Sequence, residues 1–251
     1  MTDAIILAGG TIEEDDLRQE AGVDYKALIP LAGQPMLEYV LRAFRDATRV
    51  GRIVVVGPPI LKSHPAAQLA DIVLEEAATR AENLFLGIEA LPEADRILMA
   101  TADTPLLTPA IVDELLEQAP VCDICYPFVA KETVLKDFGE RKWVFVKLRD
   151  GSFTGSSMAL FRPAAFQQIR PLVEQVFGAH RDHMKVARLF GLPFLLRSSA
   201  GWITVPEIEA HVSRVVGLDC RGYLARHAEL AFDVDHLGDI SFALRRLAPR
   251  P

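Results

Sequence analysis

Two short segments of this chain have residue types suited to a phosphorylated ligand. The first is Leu7-Ala8-Gly9-Gly10, where two glycines leave backbone N–H groups with no side chain to block a base or a phosphate. The second is Tyr25-Lys26-Ala27-Leu28-Ile29-Pro30, where Lys26 follows a polar stretch and supplies a flexible cation for phosphates. Alone, a strand-ending glycine pair reads as a turn and a lone lysine as a solvated one. Their weight comes from standing together, with Gly33-Gln34-Pro35-Met36-Leu37 just downstream. The glycines match neither GxGxxG nor GxxxxGK[ST], which disfavours two common nucleotide sites. Two acidic segments complete the set: Thr101-Ala102-Asp103-Thr104-Pro105-Leu106-Leu107 and Asp233-Val234-Asp235.

Strands must position these residues. Ala4-Ile5-Ile6-Leu7 is a continuous apolar run, as in a strand buried on both faces of a parallel sheet. A polar, acidic loop then runs to about Asp24. Pro35 opens a helix with Met36, Val40, Ala43, Phe44 and Ala47 at helical spacing. Residues 53–56 form a second strand stopped by Gly57-Pro58-Pro59, and Asn83 lies on a helix ending near Leu91-Pro92. A third strand at 96–100 leaves Asp103 just beyond its end, Thr108-Pro109 starts a helix, and 123–128 is a fourth strand. Strands alternating with helices predict a mostly parallel sheet with right-handed crossovers. Ligands of such sheets bind beyond the carboxyl ends of the strands, where the three unusual segments fall.

The second half is less regular. Strands are expected at 143–148 and 158–161, and a helix from Pro163 to about Phe177. Thr204-Val205-Pro206-Glu207 has capping-box spacing for a helix to Val216. A last strand at 230–234 precedes a closing helix marked by Ile240, Ala243, Leu244 and Leu247.

Composition narrows the function classes. Half of the 251 residues are apolar and 24% are charged, the profile of a packed globular chain. A net charge of −7 and only 8% aromatic residues argue against nucleic acid as a partner. Cys122, Cys125 and Cys220 are too few for a disulfide framework, and Cys122-x-x-Cys125 lacks a second ligand pair for zinc. A structural role is the better reading. With no membrane-span-length apolar run and no signal-peptide pattern at Met1-Thr2-Asp3, a cytoplasmic location without an integral membrane segment is expected.

Leu7-Ala8-Gly9-Gly10, then Lys26-Ala27-Leu28, then Gly33-Gln34-Pro35-Met36-Leu37 resembles the opening signature of the MobA-like NTP transferase family, which includes the molybdenum-cofactor and sugar-phosphate nucleotidyltransferases. Ala102-Asp103-Thr104-Pro105-Leu106-Leu107 is similar to the family's D-x-P-L segment, and Asp233-Val234-Asp235-His236-Leu237-Gly238-Asp239-Ile240 to its closing D-I-D-T-P-E-D-L. The resemblance implies an α/β fold of the glycosyltransferase-A, or nucleotide-diphospho-sugar transferase, type. It implies one nucleotidyltransferase domain over 1–251: a nucleotide-binding half at 1–128, a variable acceptor-side region at 129–225 and a closing strand and helix at 226–251. The implied reaction is Mg²⁺-dependent transfer of NMP from an NTP to a small, phosphorylated acceptor, releasing pyrophosphate.

By the same resemblance, Leu7, Ala8, Gly9, Gly10 and Ala102 cradle the nucleotide, and Lys26 neutralises its phosphates. Asp103 binds Mg²⁺, with Lys26 the catalytic pair of the site, and Asp235 completes the metal site, with Asp233 a second candidate. Asn83 contacts base or ribose, or caps its helix. On the acceptor side stand Lys147, Thr154, Gly155 and Ser156, whose bland alternative is a strand-edge lysine and a Gly/Ser turn. His180, Asp182 and His183 make an incomplete metal set and read better as a solvated helix start. Residues 189–205 are apolar enough for a core or homodimer surface.

One departure is visible. Relatives continue with G-x-R after the glycines, whereas Thr11-Ile12-Glu13-Glu14-Asp15-Asp16-Leu17-Arg18 is acidic, with Arg18 a non-equivalent substitute. Two other readings stay open: a glycosyltransferase of related fold using a nucleotide-sugar, and a catalytically inactive nucleotide-binding relative.

Overall fold

The computed structural model describes residues 1–179 and 190–248. The chain divides into two compact units, Met1–Gln118 with the segment from Phe232 onward, and Ala119–Ala231.

The first unit is built on parallel strands in the order β5 (Ile72–Glu75), β4 (Val50–Gly57), β1 (Thr2–Leu7), β6 (Ile97–Thr101), with a separate antiparallel pair, β2 (Pro30–Leu31) and β3 (Gln34–Pro35). Ala4, Ile5 and Ile6 of β1 pair with Ile53, Val54 and Val55 on one side and with Leu98, Met99 and Ala100 on the other. Helices cover the strands, so the central strands are apolar on both faces, with Ile5, Ile6, Val54, Val55 and Leu98 fully buried. Helix Met36–Arg45 buries Met36, Leu37, Val40, Leu41, Ala43 and Phe44, the stripe its periodicity predicts. Helix Arg80–Glu89 starts at a reciprocal capping box between Thr79 and Glu82 and packs on β1 and β4. Thr108 Oγ1 accepts from the Ile111 N–H at the start of helix Pro109–Gln118.

The second unit is mixed. Its central strand β7 (Ile124–Ala130) pairs antiparallel with β10 (Met158–Phe161) and β9 (Gly151–Gly155), and parallel with β11 (Cys220–Ala225). β9 pairs in turn with β8 (Val146–Leu148). Helix Val205–Val216 carries the expected capping box, Thr204 with Glu207, and packs on β11. The α/β class with a mostly parallel sheet flanked by helices is as expected.

Several elements differ from expectation. The acidic stretch after Gly10 contains a helix, Asp15–Ala21, with Asp15 and Asp16 in its first turn, where they suit the helix dipole, and Leu17 buried beneath it. The last strand at 230–234 is instead a 3-10 turn, Ala228–Ala231, followed by irregular chain, with Leu230, Phe232 and Val234 buried. The helix expected from Pro163 to Phe177 is broken into Pro163–Gln168 and Arg170–Ala179, because Pro171 has no N–H for the Gln167 carbonyl and crowds it. Only Val146–Leu148 of the 143–148 segment is strand; Trp143 stacks on Phe138 with ring centroids 6.0 Å apart. β5, β11 and helix Lys131–Phe138 carried no clear sequence signal: β5 is four residues long, and Gly222 interrupts β11.

Among the described residues no helix is long and apolar enough to cross a membrane. Gly87 is where helix Arg80–Glu89 rests on β1, and a Cβ there would lie 2.8 Å from Ile5 Cγ2. Gly87→Val is expected to lower unfolding free energy by about 1–3 kcal/mol through overpacking, read from urea denaturation. An unchanged midpoint would contradict that contact.

Candidate functional site

The candidate site gathers where β1 and β6 end. Gly10 has φ +104°, a conformation that favours glycine, and there the chain turns out of the sheet. The following loop is closed on itself by an antiparallel bridge between Thr11 and Tyr25 and by the Ile12 N–H donating to the Asp24 carbonyl at 2.9 Å. That closure returns Lys26 to the glycine turn, where its N–H donates to the Gly10 carbonyl at 3.4 Å. The Arg18 guanidinium donates to the Ile12 carbonyl, so it braces the loop backbone.

Asp103 is fixed at the end of β6. The Ala102 N–H donates to the Leu7 carbonyl at 3.0 Å, and Thr101 Oγ1 donates to Asp103 Oδ1. The Asp103 carbonyl accepts from the Val234 N–H at 3.0 Å, which ties a segment more than a hundred residues away to the same spot. Asp239, buried in the first turn of helix Leu237–Leu247, then accepts from the Asp235 and His236 N–H groups at 2.9 and 2.8 Å. These bonds aim Asp235 back toward Asp103. His236 Nδ1 lies 2.7 Å from Glu14 Oε1 on the loop.

The three charged groups meet. Lys26 Nζ is 2.6 Å from Asp103 Oδ2 and 2.5 Å from Asp235 Oδ1. The Lys26 and Asp103 side chains are 23% and 18% exposed, whereas Asp235 is 55% exposed and marks the solvent side. Burial alone would lower the Lys26 pKa, but Asp103 and then Asp235 outweigh it and hold the ammonium above its usual 10.5. Of the two aspartates considered for the final position, it is Asp235 that meets Lys26.

Gly9 forms a second feature beside this cluster. A Cβ there would lie 2.1 Å from Glu76 Oε2 and 3.3 Å from Asn83 Nδ2, so a carboxylate and an amide close over bare backbone. Asn83 is buried, and its Oδ1 accepts from the Ala77 N–H at 2.6 Å. It does not cap its helix, because Thr79 does. Of the remaining expected residues, Leu7 ends β1, Ala8 is buried with its N–H on the Val56 carbonyl at 2.8 Å, and Ala102 is buried beside Asp103.

The acceptor-side candidates belong to the second unit. Lys147 is exposed on β8, and Thr154 and Gly155 lie on β9 and not in a Gly/Ser turn. Ser156 is buried, its Oγ bonded to the backbone N–H and carbonyl of Met158 at 3.2 and 3.3 Å, which is a bracing role. Cys122, Cys125 and Cys220 are buried and form no disulfide, and burial first, then Cys122, pushes the Cys220 thiol up to about 11, which suits an inert thiol. His180, Asp182 and His183 lie outside the described residues.

As a cation site, the pair of aspartates is suited to a hard ion. Two carboxylate oxygens from remote stretches address one positive point, and Lys26 Nζ stands at it. Mg²⁺ commonly takes one or two protein carboxylates, with water and phosphate completing the shell. Among the described residues no group of three or more His, Cys, Asp or Glu is placed to hold a metal, so a site enclosed by protein ligands is not built there. Sequence reading missed three positioning residues: Thr101, Glu76 and Asp239. Only Asp239 carried a signal, as an acid at the third position of a helix that follows Asp235.

Comparison with known proteins identifies the family and the fold. Residues 4–200 match the MobA-like NTP transferase domain. A solved structure of a hypothetical transferase from Thermus thermophilus is 33% identical, covers 95% of this chain and 99% of its own, and superposes with a TM-score of 0.86. The bifunctional protein GlmU of Acidithiobacillus ferrooxidans is 34% identical over 48% of this chain and 26% of its own length. A 2-C-methyl-D-erythritol 4-phosphate cytidylyltransferase of Streptomyces coelicolor is 35% identical over 38% of this chain and 40% of its own length. The chain thus spans well under half the length of these two curated relatives.

The Lys26 ammonium is expected to titrate above 10.5, and to move back toward that value in Asp103→Asn. Because its folded pKa is raised, the stability it contributes is complete below 10.5 and is lost as pH rises through the folded value. Nitrogen NMR of the lysine Nζ groups reads this directly; a Lys26 midpoint unmoved by Asp103→Asn would contradict the pairing.

Proposed function

The chain belongs to the MobA-like NTP transferase family, and we propose that it transfers NMP from an NTP to a small phosphorylated acceptor, with Mg²⁺ and with release of pyrophosphate. The observation that carries this reading is the convergence of Asp103 and Asp235 on one cationic point beside the Gly9-Gly10 turn. The cytidylyltransferases among its relatives take a phosphorylated acceptor by name, which supports the acceptor class. The cytoplasm, which supplies NTP and Mg²⁺, is the compartment assigned.

In this reaction an acceptor oxygen attacks the α-phosphorus in line, a new P–O bond forms, and the bond to the β-phosphate oxygen breaks. A phosphate acceptor arrives already ionised at neutral pH, so no side chain has to remove a proton from the nucleophile. The protein's work is alignment and charge neutralisation. Asp103 and Asp235 would hold Mg²⁺, which when bound neutralises phosphate charge and polarises the phosphoryl oxygens. Lys26 has a flexible four-carbon stem, so its ammonium can leave the aspartates for the triphosphate once the carboxylates have another cation. Thr101 and Asp239 keep the two carboxylates aimed.

Leu7, Ala8, Gly9 and Gly10 present backbone to the nucleotide. Beside Gly9, the Glu76 carboxylate accepts from donors on the base edge and Asn83 Nδ2 donates to an acceptor. That pairing reads one donor and one acceptor on the base edge. Residues 129–225 supply acceptor contacts, with Lys147, Thr154 and Gly155 the candidates; Ser156 is committed to Met158 and supports them.

Asp103→Ala is expected to cut pyrophosphate release by about 10²–10³-fold or more while leaving circular dichroism unchanged. Near-normal turnover would remove Asp103 from the chemistry. In a thermal-shift screen of ATP, GTP, CTP and UTP with Mg²⁺, one nucleotide should stabilise the chain selectively. A nucleotide-sugar that stabilises it where every NTP fails would favour glycosyl transfer instead.

A further inference from the structure

The second unit contains a hollow of about 490 Å³. Its wall comes from β7, β8, β9 and β11 on one side and from helices Arg170–Ala179 and Val205–Val216 on the other. Tyr126, Phe128, Phe153, Leu172, Ile208 and Val212 are among the residues that face it.

Three of the polar side chains along the wall are hydrogen-bonded within the protein. The Tyr126 hydroxyl donates to the Ser156 carbonyl at 2.9 Å, Glu209 Oε1 accepts from the Gly222 N–H at 2.7 Å, and Arg221 Nε donates to Asp219 at 2.6 Å. A sugar or other polyol entering here would exchange water for hydrocarbon and lose its hydrogen bonds. A hydrocarbon loses nothing, and apolar cavities of this kind take apolar guests. Val146 and Val176 line the hollow yet are 50% and 38% exposed, so it opens to solvent at an apolar lip.

We propose that this hollow binds the aliphatic chain of a small amphipathic molecule. An apolar cavity of about 150 Å³ takes one benzene, so the volume admits on the order of twenty carbon atoms. The occupant is a flexible chain and not a second protein surface, because the space is a walled hollow between strands and helices of one unit and not an open face. Thr154 and Gly155, acceptor-side candidates in the proposed function, lie on the same wall. If that function holds, the phosphorylated acceptor carries an alkyl tail; binding of the tail itself does not depend on it.

The test is calorimetric titration of the full chain, without nucleotide, with n-alkyl phosphates of 4, 6, 8, 10 and 12 carbons below their micellar concentrations. Affinity is expected to rise by up to about fourfold per added methylene, with one site per chain. Ile208→Trp, which fills the hollow, and Val176→Asp, which charges its lip, should each weaken the dodecyl compound at least tenfold. Lys26→Ala should leave it unchanged, separating this site from the nucleotide chemistry. Absence of saturable binding, or affinity indifferent to chain length, overturns the proposal on the wild-type chain alone. So does a doubled mass in sedimentation with no alkyl binding, which would make a second copy the occupant. Alkyl binding that persists while no NTP is turned over leaves the hollow standing and sinks only the transfer reaction.

Discussion

Two ionised carboxylates brought to one point repel each other unless a cation stands between them. Asp103 and Asp235 share such a point, and Lys26 Nζ supplies the charge. Much of the first unit's local architecture serves that constraint. The Thr11–Tyr25 bridge folds a long loop back so that Lys26 returns to the glycine turn. The Val234 N–H on the Asp103 carbonyl brings the far end of the chain to β6, and Asp239 fixes the backbone that carries Asp235. A lysine is a replaceable partner for such a pair because its charge sits on a flexible stem, so the cluster can exchange one cation for another without moving the sheet.

The same logic explains the acidic loop that departs from the family pattern. Its carboxylates do not crowd the aspartate pair: Asp15 and Asp16 sit at a helix N-terminus, and Glu14 meets His236. Arg18, the nearest substitute for the family's phosphate-binding arginine, is bound to the Ile12 carbonyl. Charge neutralisation at this turn therefore falls to Lys26 and to whatever cation the aspartates hold.

Much of this was legible in the sequence wherever one element's own residues decide the outcome. Buried parallel strands announced themselves as apolar runs at 4–7 and 53–56, and the capping box at Thr204 placed its helix to the residue. Lys26, Asp103 and Asp235 were recognisable as candidates from their motifs. What stayed hidden depends on partners distant in sequence. Glu76 has no motif; only folding sets its carboxylate over Gly9. The apolar run at 230–234 reads as a strand because burial and strand pairing leave the same pattern; instead Ala228–Ala231 is a 3-10 turn and the Val234 N–H goes to the Asp103 carbonyl. Pro171, which cannot donate to the preceding turn, is the cue in the sequence for the helix broken after Gln168.

The most direct measurement is electron paramagnetic resonance titration of Mn²⁺, standing in for Mg²⁺, against the chain saturated with a non-hydrolysable NTP analogue. The account predicts one tight site per chain, weakened at least tenfold by Asp103→Asn and also weakened by Asp235→Asn. Mn²⁺ binding of unchanged affinity in both variants would contradict it.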